Sequence, residues 1–492
     1  MKRNLKTMII TMIVSILSIT SCTKFVDIAP ESDLTTGNAY QTAADLEAAL
    51  IGVYKTLNSD YFIWENFVMS DVRSDNAYAG GDDPEIYQYD ELQISALNSR
   101  ILLTWRQLYN GIARANLVIE KAPLVNDVKL EVGNKRANII NEARFLRAFY
   151  YFELVKAFGG LPIVREFGKV NPEDANISRS TVTDVYNFIV EDLEAAAALP
   201  SDYGNNLSLN KSKITRGAVY ALLAKVHAQR PDRDYSKVLQ YCIEVEKLGY
   251  GLHDSYDQLF DGLNYNNKET ILLVQYIASS PESNWGPQLL LPPSLSGDDW
   301  RKYVTPSKNL ITAYDNAGDT QRKSASVYYD NAEWSDEFWK PCAVAGSIPF
   351  PYKFRHASAW ESGDNVYLLR FDDILLLKAE ALNELSRGSE ALVPLNAVRD
   401  RVDLGGIATT DKIALRDIIL NERRLEFAFE GYRWDDLVRT GKLVSTMTSL
   451  AEYSLTCAGG STKMNYNINP NKALMPIPQG ERNRNPNLTP NP

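Results

Sequence analysis

A mainly α-helical fold is predicted for this 492-residue chain: a tetratricopeptide-like helical repeat scaffold of about four helix pairs, interrupted by an irregular, loop-rich insertion. Two observations lead there. In both halves of the sequence apolar residues recur at intervals of three and four over several helical turns, the spacing of a helix with one buried face. Between those halves, residues 255–365 lose the period and fill with Asn, Asp, Gly, Pro, Tyr and Trp. One helix pair cannot bury its own apolar face, so several must stack.

Lys2, Arg3 and Lys6 precede an apolar run over residues 8–19 that ends in Ile19-Thr20-Ser21-Cys22. A positive start, a stretch too short to span a bilayer comfortably and small residues before the cut mark residues 1–21 as an export signal. The cysteine resembles the lipid-accepting residue of a bacterial lipobox, with Ile19 where Leu is commoner. Cys22 is therefore the expected lipidation site. Residues 22–40, polar and punctuated by Pro30 and Gly37, read as a tether.

Residues 41–254 form the first helical region. Leu46, Leu50, Val53 and Leu57 make one apolar stripe, with Asp45 placed to cap its start. Residues 58–96 break the period and combine aromatics with polar turn formers, so they read as an exposed binding loop offering Trp64, Arg73, Asp75, Asn76 and Tyr78. Helices follow at about 97–121, 131–158, 182–198, 216–229 and 235–248. The third opens on Thr181 three residues before Asp184 and carries Val185, Ile189 and Leu193. Within the insertion, 255–365, only residues 269–276 look strand-like. The last region, 366–492, repeats the paired design at 371–386 and 391–402, where Pro394 must lie in or near the first turn or kink the helix.

Composition narrows the function. Apolar content of 45% and charged content of 23% are ordinary globular values. Removing residues 1–21 takes away three bases and no acid, so the formal charge falls from −10 to −13. An acidic surface without basic, aromatic-interleaved runs excludes nucleic acid as a partner. Beyond Cys22 the cysteines are Cys242, Cys342 and Cys457, an odd and scattered set that predicts neither a disulfide framework nor a zinc site. Cys242 falls on an apolar helical stripe and belongs to the core. His227, His253 and His356 sit in no metal-binding pattern, and no phosphate loop or nucleophile turn occurs. No catalytic residue, metal or cofactor is expected.

Glu422, Glu426 and Glu430 recur every four residues, which would set them on one helix face, whereas a glycosidase needs two carboxylates opposed across a sugar. Pairing with Arg423, Arg424 and Arg433 to hold that helix in place is the expected role. Ligand contact is expected elsewhere. Five of the chain's eight tryptophans lie in the insertion. Trp285, within Ser283-Asn284-Trp285-Gly286-Pro287, and Trp300, within Gly297-Asp298-Asp299-Trp300-Arg301, stand in polar, turn-forming surroundings that do not bury a large ring on all sides. Trp434, inside the 415–441 helical stretch, belongs to the core.

The stretch 415–441 carries Asn421-Glu422-Arg423-Arg424, Glu426 and Glu430-Gly431-Tyr432-Arg433-Trp434, and it resembles the C-terminal signature of the SusD/RagB family of outer-membrane nutrient-binding lipoproteins. Further similarities run in order along the chain: Trp105, Tyr109, Ile112, Arg114, Ala115 and Asn116; Glu142-Ala143-Arg144-Phe145-Leu146-Arg147-Ala148; Gly159-Gly160-Leu161-Pro162; the segment 369–381; and Leu474-Met475-Pro476-Ile477-Pro478 followed by Asn485-Pro486-Asn487-Leu488. The resemblance implies a tetratricopeptide-like scaffold, lipid-anchored at the outer membrane and facing the cell exterior. It also implies docking on a SusC-like TonB-dependent barrel and closure over the ligand like a lid. It implies no particular ligand. Aromatic-rich polar loops favour a glycan over the peptide that the RagB side of the family suggests, and a binder over a purely protein-binding scaffold or a surface glycosidase.

Overall fold

The computed structural model describes residues 39–166 and 176–492. The export segment, Cys22 and the tether as far as residue 38 lie outside the described residues. Helix α1 spans Ala43–Tyr54, and its cap is Thr42, whose hydroxyl accepts the Asp45 N–H at 3.2 Å. Asp45 returns the bond to the Thr42 N–H at 2.9 Å, so it completes a capping box from the third helical position instead of opening the helix. Next come α2 (Ser99–Lys121), α3 (Lys135–Phe158), α4 (Val182–Ala196), α5 (Arg216–Gln229) and α6 (Tyr235–Glu246). Thr181 caps α4 as its spacing predicted.

The scaffold grows by neighbour packing. α1 lies on α2, α3 on both α2 and α4, and α5 on α6. α3 is buried around most of its circumference by Phe145, Leu146, Phe149, Tyr150, Phe152 and others, the pattern of a helix enclosed by partners. Gly111 of α2 permits the closest approach, because a Cβ there would meet the Tyr150 ring at 2.6 Å. Cys242 is buried within α6, as its stripe predicted.

The insertion is more ordered than its composition suggested. It contains β2 (Thr270–Val274), β3 (Val304–Pro306), α7 (Lys308–Ala317), α8 (Thr320–Ser326), β4 (Val327–Ala332) and β5 (Gly346–Pro351). Strand β1 (Ala77–Ala79) pairs with β3, β2 with β6 (Val366–Arg370), and β4 with β5, all antiparallel. The predicted strand at 269–276 is β2. The chain then forms α9 (Phe371–Glu384), α10 (Gly388–Asp400), α11 (Lys412–Glu426) and α12 (Arg433–Arg439), followed by a hairpin of β7 (Tyr453–Leu455) and β8 (Ser461–Lys463). α9 packs on α6, α10 and α11 and so joins the last helices to the earlier stack. Because α10 begins at Gly388, Pro394 lies inside the helix, beyond its first turn.

Two expectations need correction here. Cys342, in the β4–β5 connection, and Cys457, in the β7–β8 connection, form a disulfide across 115 residues of sequence, leaving Cys242 as the odd thiol. The segment 58–96 is not an exposed loop. Its backbone winds through π-helical turns Tyr61–Glu65 and Val68–Val72 and a short helix Pro84–Asp90, and Trp64, Arg73, Asp75, Asn76 and Tyr78 are all buried. Their polar groups serve the C-terminal signature. Arg433 Nε donates to Asp75 Oδ1 at 2.7 Å, Arg424 Nε donates to Asn76 Oδ1 at 2.8 Å, and the Phe429 and Gly431 N–H groups donate to the Asp71 carboxylate at 3.0 and 3.1 Å. Arg73 lies 4.0 Å over the Trp434 ring and donates to the Lys472 carbonyl at 2.8 Å. Tyr78 stacks on Phe338 and donates to Glu452 at 3.0 Å. Burial would raise the Asp75 carboxyl, but Arg424 and Arg433 outweigh it and hold the group at about 2.

Candidate functional site

Four chain segments bring aromatic rings to one place. Trp64 comes from the π-helical turn Tyr61–Glu65, Trp285 from the start of the short helix Gly286–Leu290, Trp300 and Tyr303 from the loop before β3, and Trp360 from the turn Ser358–Trp360. Trp64 meets Trp285 edge-on at 6.2 Å between centroids and Tyr303 at 5.7 Å; Tyr303 meets Trp300 at 5.5 Å. Trp300 and Trp360 are near parallel, 17° apart with centroids at 6.0 Å. Exposure is graded across the set, from 4% at Trp64 to 42% at Trp360, with Trp285, Trp300 and Tyr303 half-buried. Trp64 is thus the floor, and the outer rings form a platform open to solvent.

Polar groups beneath fix the rings. The buried Gln288 carboxamide donates to the Ser296 carbonyl at 2.8 Å and to Asp298 Oδ2 at 2.5 Å, and accepts the Trp360 N–H at 3.4 Å. One side chain therefore ties the Trp300 loop to the Trp360 turn. The backbones of Asn284 and Ser362 exchange hydrogen bonds at 2.7 and 3.1 Å, which joins the Trp285 segment to the same turn. Lys302 lies under Trp300 with Nζ 3.7 Å from the ring, and burial pushes its ammonium down to about 8. On the other side Arg100 covers Trp64 at 4.6 Å and is held by Asp83 at 2.6 Å and by Glu65. The Trp360 turn is itself constrained, with Ala359 at φ 52° and Trp360 at φ 76°. Flat rings edged by carboxylates and amides suit a polyhydroxylated ring molecule with one apolar face.

Of the sequence candidates, Trp285 and Trp300 join this platform and Trp64 underlies it, whereas Arg73, Asp75, Asn76 and Tyr78 lie in the core. Trp360, Tyr303 and Gln288 escaped the sequence reading. The small polar neighbours Ser358 and Ser362-Gly363 around Trp360 are the kind of signal that singled out Trp285 and Trp300. Trp334 and Trp339 pack instead on a minor core of Ile348 and Phe350, and the Trp339 indole donates to the Pro306 carbonyl at 2.9 Å.

Two other places invite a chemical reading. A crevice of about 90 Å³ lies between the helical stack and the insertion, walled by Phe62, Phe67, Phe354 and Tyr432 and by Lys156 and Lys225. Its lysines are committed: Lys156 to Asp435 at 2.7 Å and Glu153 at 2.9 Å, Lys225 to Asp373 at 2.5 Å. Deeper still, carboxylate oxygens of Glu269, Asp372 and Glu426 come within 4.8 Å of one another, the one such grouping among the described residues. Three guanidiniums already balance it, Arg322 on Glu426 at 2.9 Å among them. Arg370 reaches Asp372 at 2.5 Å and Glu269 at 2.9 Å, while Arg401 reaches Glu269 at 2.8 Å and also Glu426. Burial raises the Asp372 carboxyl well above its ordinary value, against the pull of Arg370. The grouping is an ion-pair hub, not a cation cage.

That hub also revises the expected pairing in the signature. Glu422 and Glu426 bind the fully buried Arg322 at 2.6 and 2.9 Å, and Arg322 also holds Asp319 at 2.5 Å. Arg423 goes to Asp373 and Asp436, at 2.7 and 2.8 Å. Glu430 is off the helix altogether, since α11 ends at Glu426 and Phe429 turns to φ 63°; it binds Arg370 at 2.9 Å and Lys353 at 2.5 Å. The structural role expected for these charges stands, with partners from other segments.

Comparison with known proteins places the whole chain. The family described as "SusD family" matches residues 228–492, and the one described as "Starch-binding associating with outer membrane" matches residues 24–227. SusD-like protein P38 of Formosa agariphila is 27% identical, over 88% of this chain and 91% of its own length. Among solved structures, a SusD-like protein from Bacteroides fragilis superposes with a TM-score of 0.77 at 24% identity, covering 94% of this chain and 99% of its own. A laminarin-binding SusD-like protein gives a TM-score of 0.74 at 24% identity, covering 92% of this chain and 100% of its own.

Proposed function

The chain belongs to the SusD family, and from that premise we propose that it binds an extracellular glycan on the aromatic platform and delivers it to a SusC-like TonB-dependent barrel in the outer membrane. The gathering of Trp285, Trp300 and Trp360 from separate segments, over a buried Trp64, is the observation that carries this reading. Water competes well for sugar hydroxyls, so a flat ring against the apolar face of a pyranose supplies desolvation that hydrogen bonds alone do not. Similar proteins are described as binding proteins, one of them of laminarin, which supports a binder over an enzyme.

Among the described residues no helix is long and apolar enough to cross a membrane. Attachment on this reading falls to Cys22, through several acyl chains, since one alone anchors weakly. Labelling cells with a palmitate analogue should mark the wild type and not Cys22→Ala; a mutant that still labels would remove the anchor from the proposal.

Titrating polysaccharides into the purified protein should shift tryptophan emission, and Trp300→Ala should weaken the best ligand roughly ten- to hundredfold, on the order of 1–3 kcal/mol for a central platform. The far-ultraviolet circular dichroism should not change. If Trp300→Ala and Trp360→Ala bind as tightly as wild type, the platform is not the site. Binding of extended peptides without any glycan would favour the peptide-binding form of the same architecture.

A further inference from the structure

We infer that the platform selects uncharged glycans and rejects uronate-bearing or sulfated ones, through a rim of free carboxylates at Asp82, Asp299 and Glu361. This rests on the glycan reading of the platform. On the segments that carry or touch the rings, residues 80–83, 282–303 and 358–362, the exposed ionisable side chains are Asp82, Glu282, Asp299 and Glu361, all acidic. Glu282 has a partner in Lys55 at 3.4 Å; among the described residues the other three have no cation within bridging distance.

Packing fixes the Asp82 turn beside the rings. The Gly80-Gly81 turn that presents Asp82 lies hard against Tyr303: a Cβ on Gly81, which adopts φ +72°, would collide with that ring. Asp82 and Asp83 both act electrostatically on the Tyr303 phenol, and Asp298 and Asp299 act on Lys302 beneath Trp300. Glu361 directly follows Trp360. The two bases on these segments, Arg301 and Lys302, are half-buried and buried, respectively. Lys302 is buried with its ammonium on the Trp300 ring and the Gln288 carbonyl at 3.2 Å, and Arg301 acts on Tyr87 and Glu337. Arg100, the cation nearest the floor, is bound to Asp83 and Glu65. A sulfate or carboxylate carried onto the platform would thus meet like charge, with the half-buried Arg301, which makes no ion pair among the described residues, the one base on these segments that is not buried. Such juxtapositions act mainly on specificity.

The test uses matched polysaccharides on the full mature protein: laminarin against sulfated laminarin, and hydroxyethyl cellulose against carboxymethyl cellulose. The neutral member of a bound pair should bind at least about tenfold more tightly at low salt, with the gap shrinking as salt screens exposed charge. In Asp82→Asn/Asp299→Asn/Glu361→Gln the gap should close, with affinity for the anionic member rising by more than affinity for the neutral member changes. Equal or tighter wild-type binding of the anionic member overturns the charge inference and leaves the glycan reading in place. So does a gap that survives the triple substitution. Binding of neither member of any pair, and of no other neutral polysaccharide titrated, overturns both.

Discussion

Replacing Arg322 by methionine should cost the fold about 3–5 kcal/mol, the loss typical when one partner of a buried ionic network is removed and the others stay. Arg322 is completely enclosed and serves three carboxylates from two helical segments, Asp319, Glu422 and Glu426. Glu422 retains Arg399 and Glu426 retains Arg401, but Asp319 keeps no cation that the structure supplies. Methionine matches much of the aliphatic stem, so the deficit reports the stranded charge more than a cavity. Its pH dependence separates the two. Burial already raises the Asp319 carboxyl above its ordinary range. A carboxyl raised in the folded state favours folding below its unfolded value and opposes it above, so the deficit should be largest near neutrality and shrink as pH falls toward about 4. Urea unfolding at several pH values measures this. A deficit below about 1 kcal/mol, or one that does not change with pH, would mean the carboxylates find water or each other and that Arg322 is ordinary packing.

Severing the Cys342–Cys457 bridge should cost roughly 2–5 kcal/mol, chiefly by releasing the unfolded chain, since the closed loop spans 115 residues. The folded protein should hardly register the change. Cys342 is half-buried and Cys457 exposed, and the β4–β5 connection also meets β7 through the Leu455 N–H on the Glu337 carbonyl at 2.6 Å. Cys342→Ser/Cys457→Ser should therefore keep the helical spectrum and unfold at lower urea, and wild type in reductant should unfold with it. Coincident curves for oxidised wild type and the double variant would show that the bridge does not constrain the unfolded ensemble.

The parts of the fold legible in the sequence are those whose physics is local. Thr181 before Asp184, the stripes of α1, α4, α6 and α9, and the apolar run of β2 each declare themselves within a few residues. Long-range complementarity does not. Asp71, Asp75 and Asn76 look like loop chemistry because nothing nearby says that their acceptors belong to Arg424, Arg433 and the backbone at Phe429 and Gly431. β1 reads as nothing until β3, far along the chain, supplies its ladder. The disulfide was hidden by parity, since the buried Cys242 made the count odd. Glu430 left its expected face because Phe429 takes a left-handed backbone that helical spacing cannot announce. At the platform, turn-forming neighbours betrayed Trp285 and Trp300, while Gln288 carries no signal of its own: a buried glutamine is recognisable as a clamp only from the two segments it clamps.

Ala359 and Trp360 both sit in the left-handed region, where a residue with a Cβ is disfavoured by roughly 1–2 kcal/mol. Neither is glycine, and the second is the most exposed ring of the platform. Selection for folding and selection for recognition therefore pull in opposite directions at this turn. Drift toward glycine would relax the backbone and erase the ring, so on the glycan reading a tryptophan persists there only while a lineage still captures its ligand. A population freed from that demand would shed Trp360 early, before the buried Trp64 that supports the same surface, because the floor has packing to preserve it and the tip has only its use.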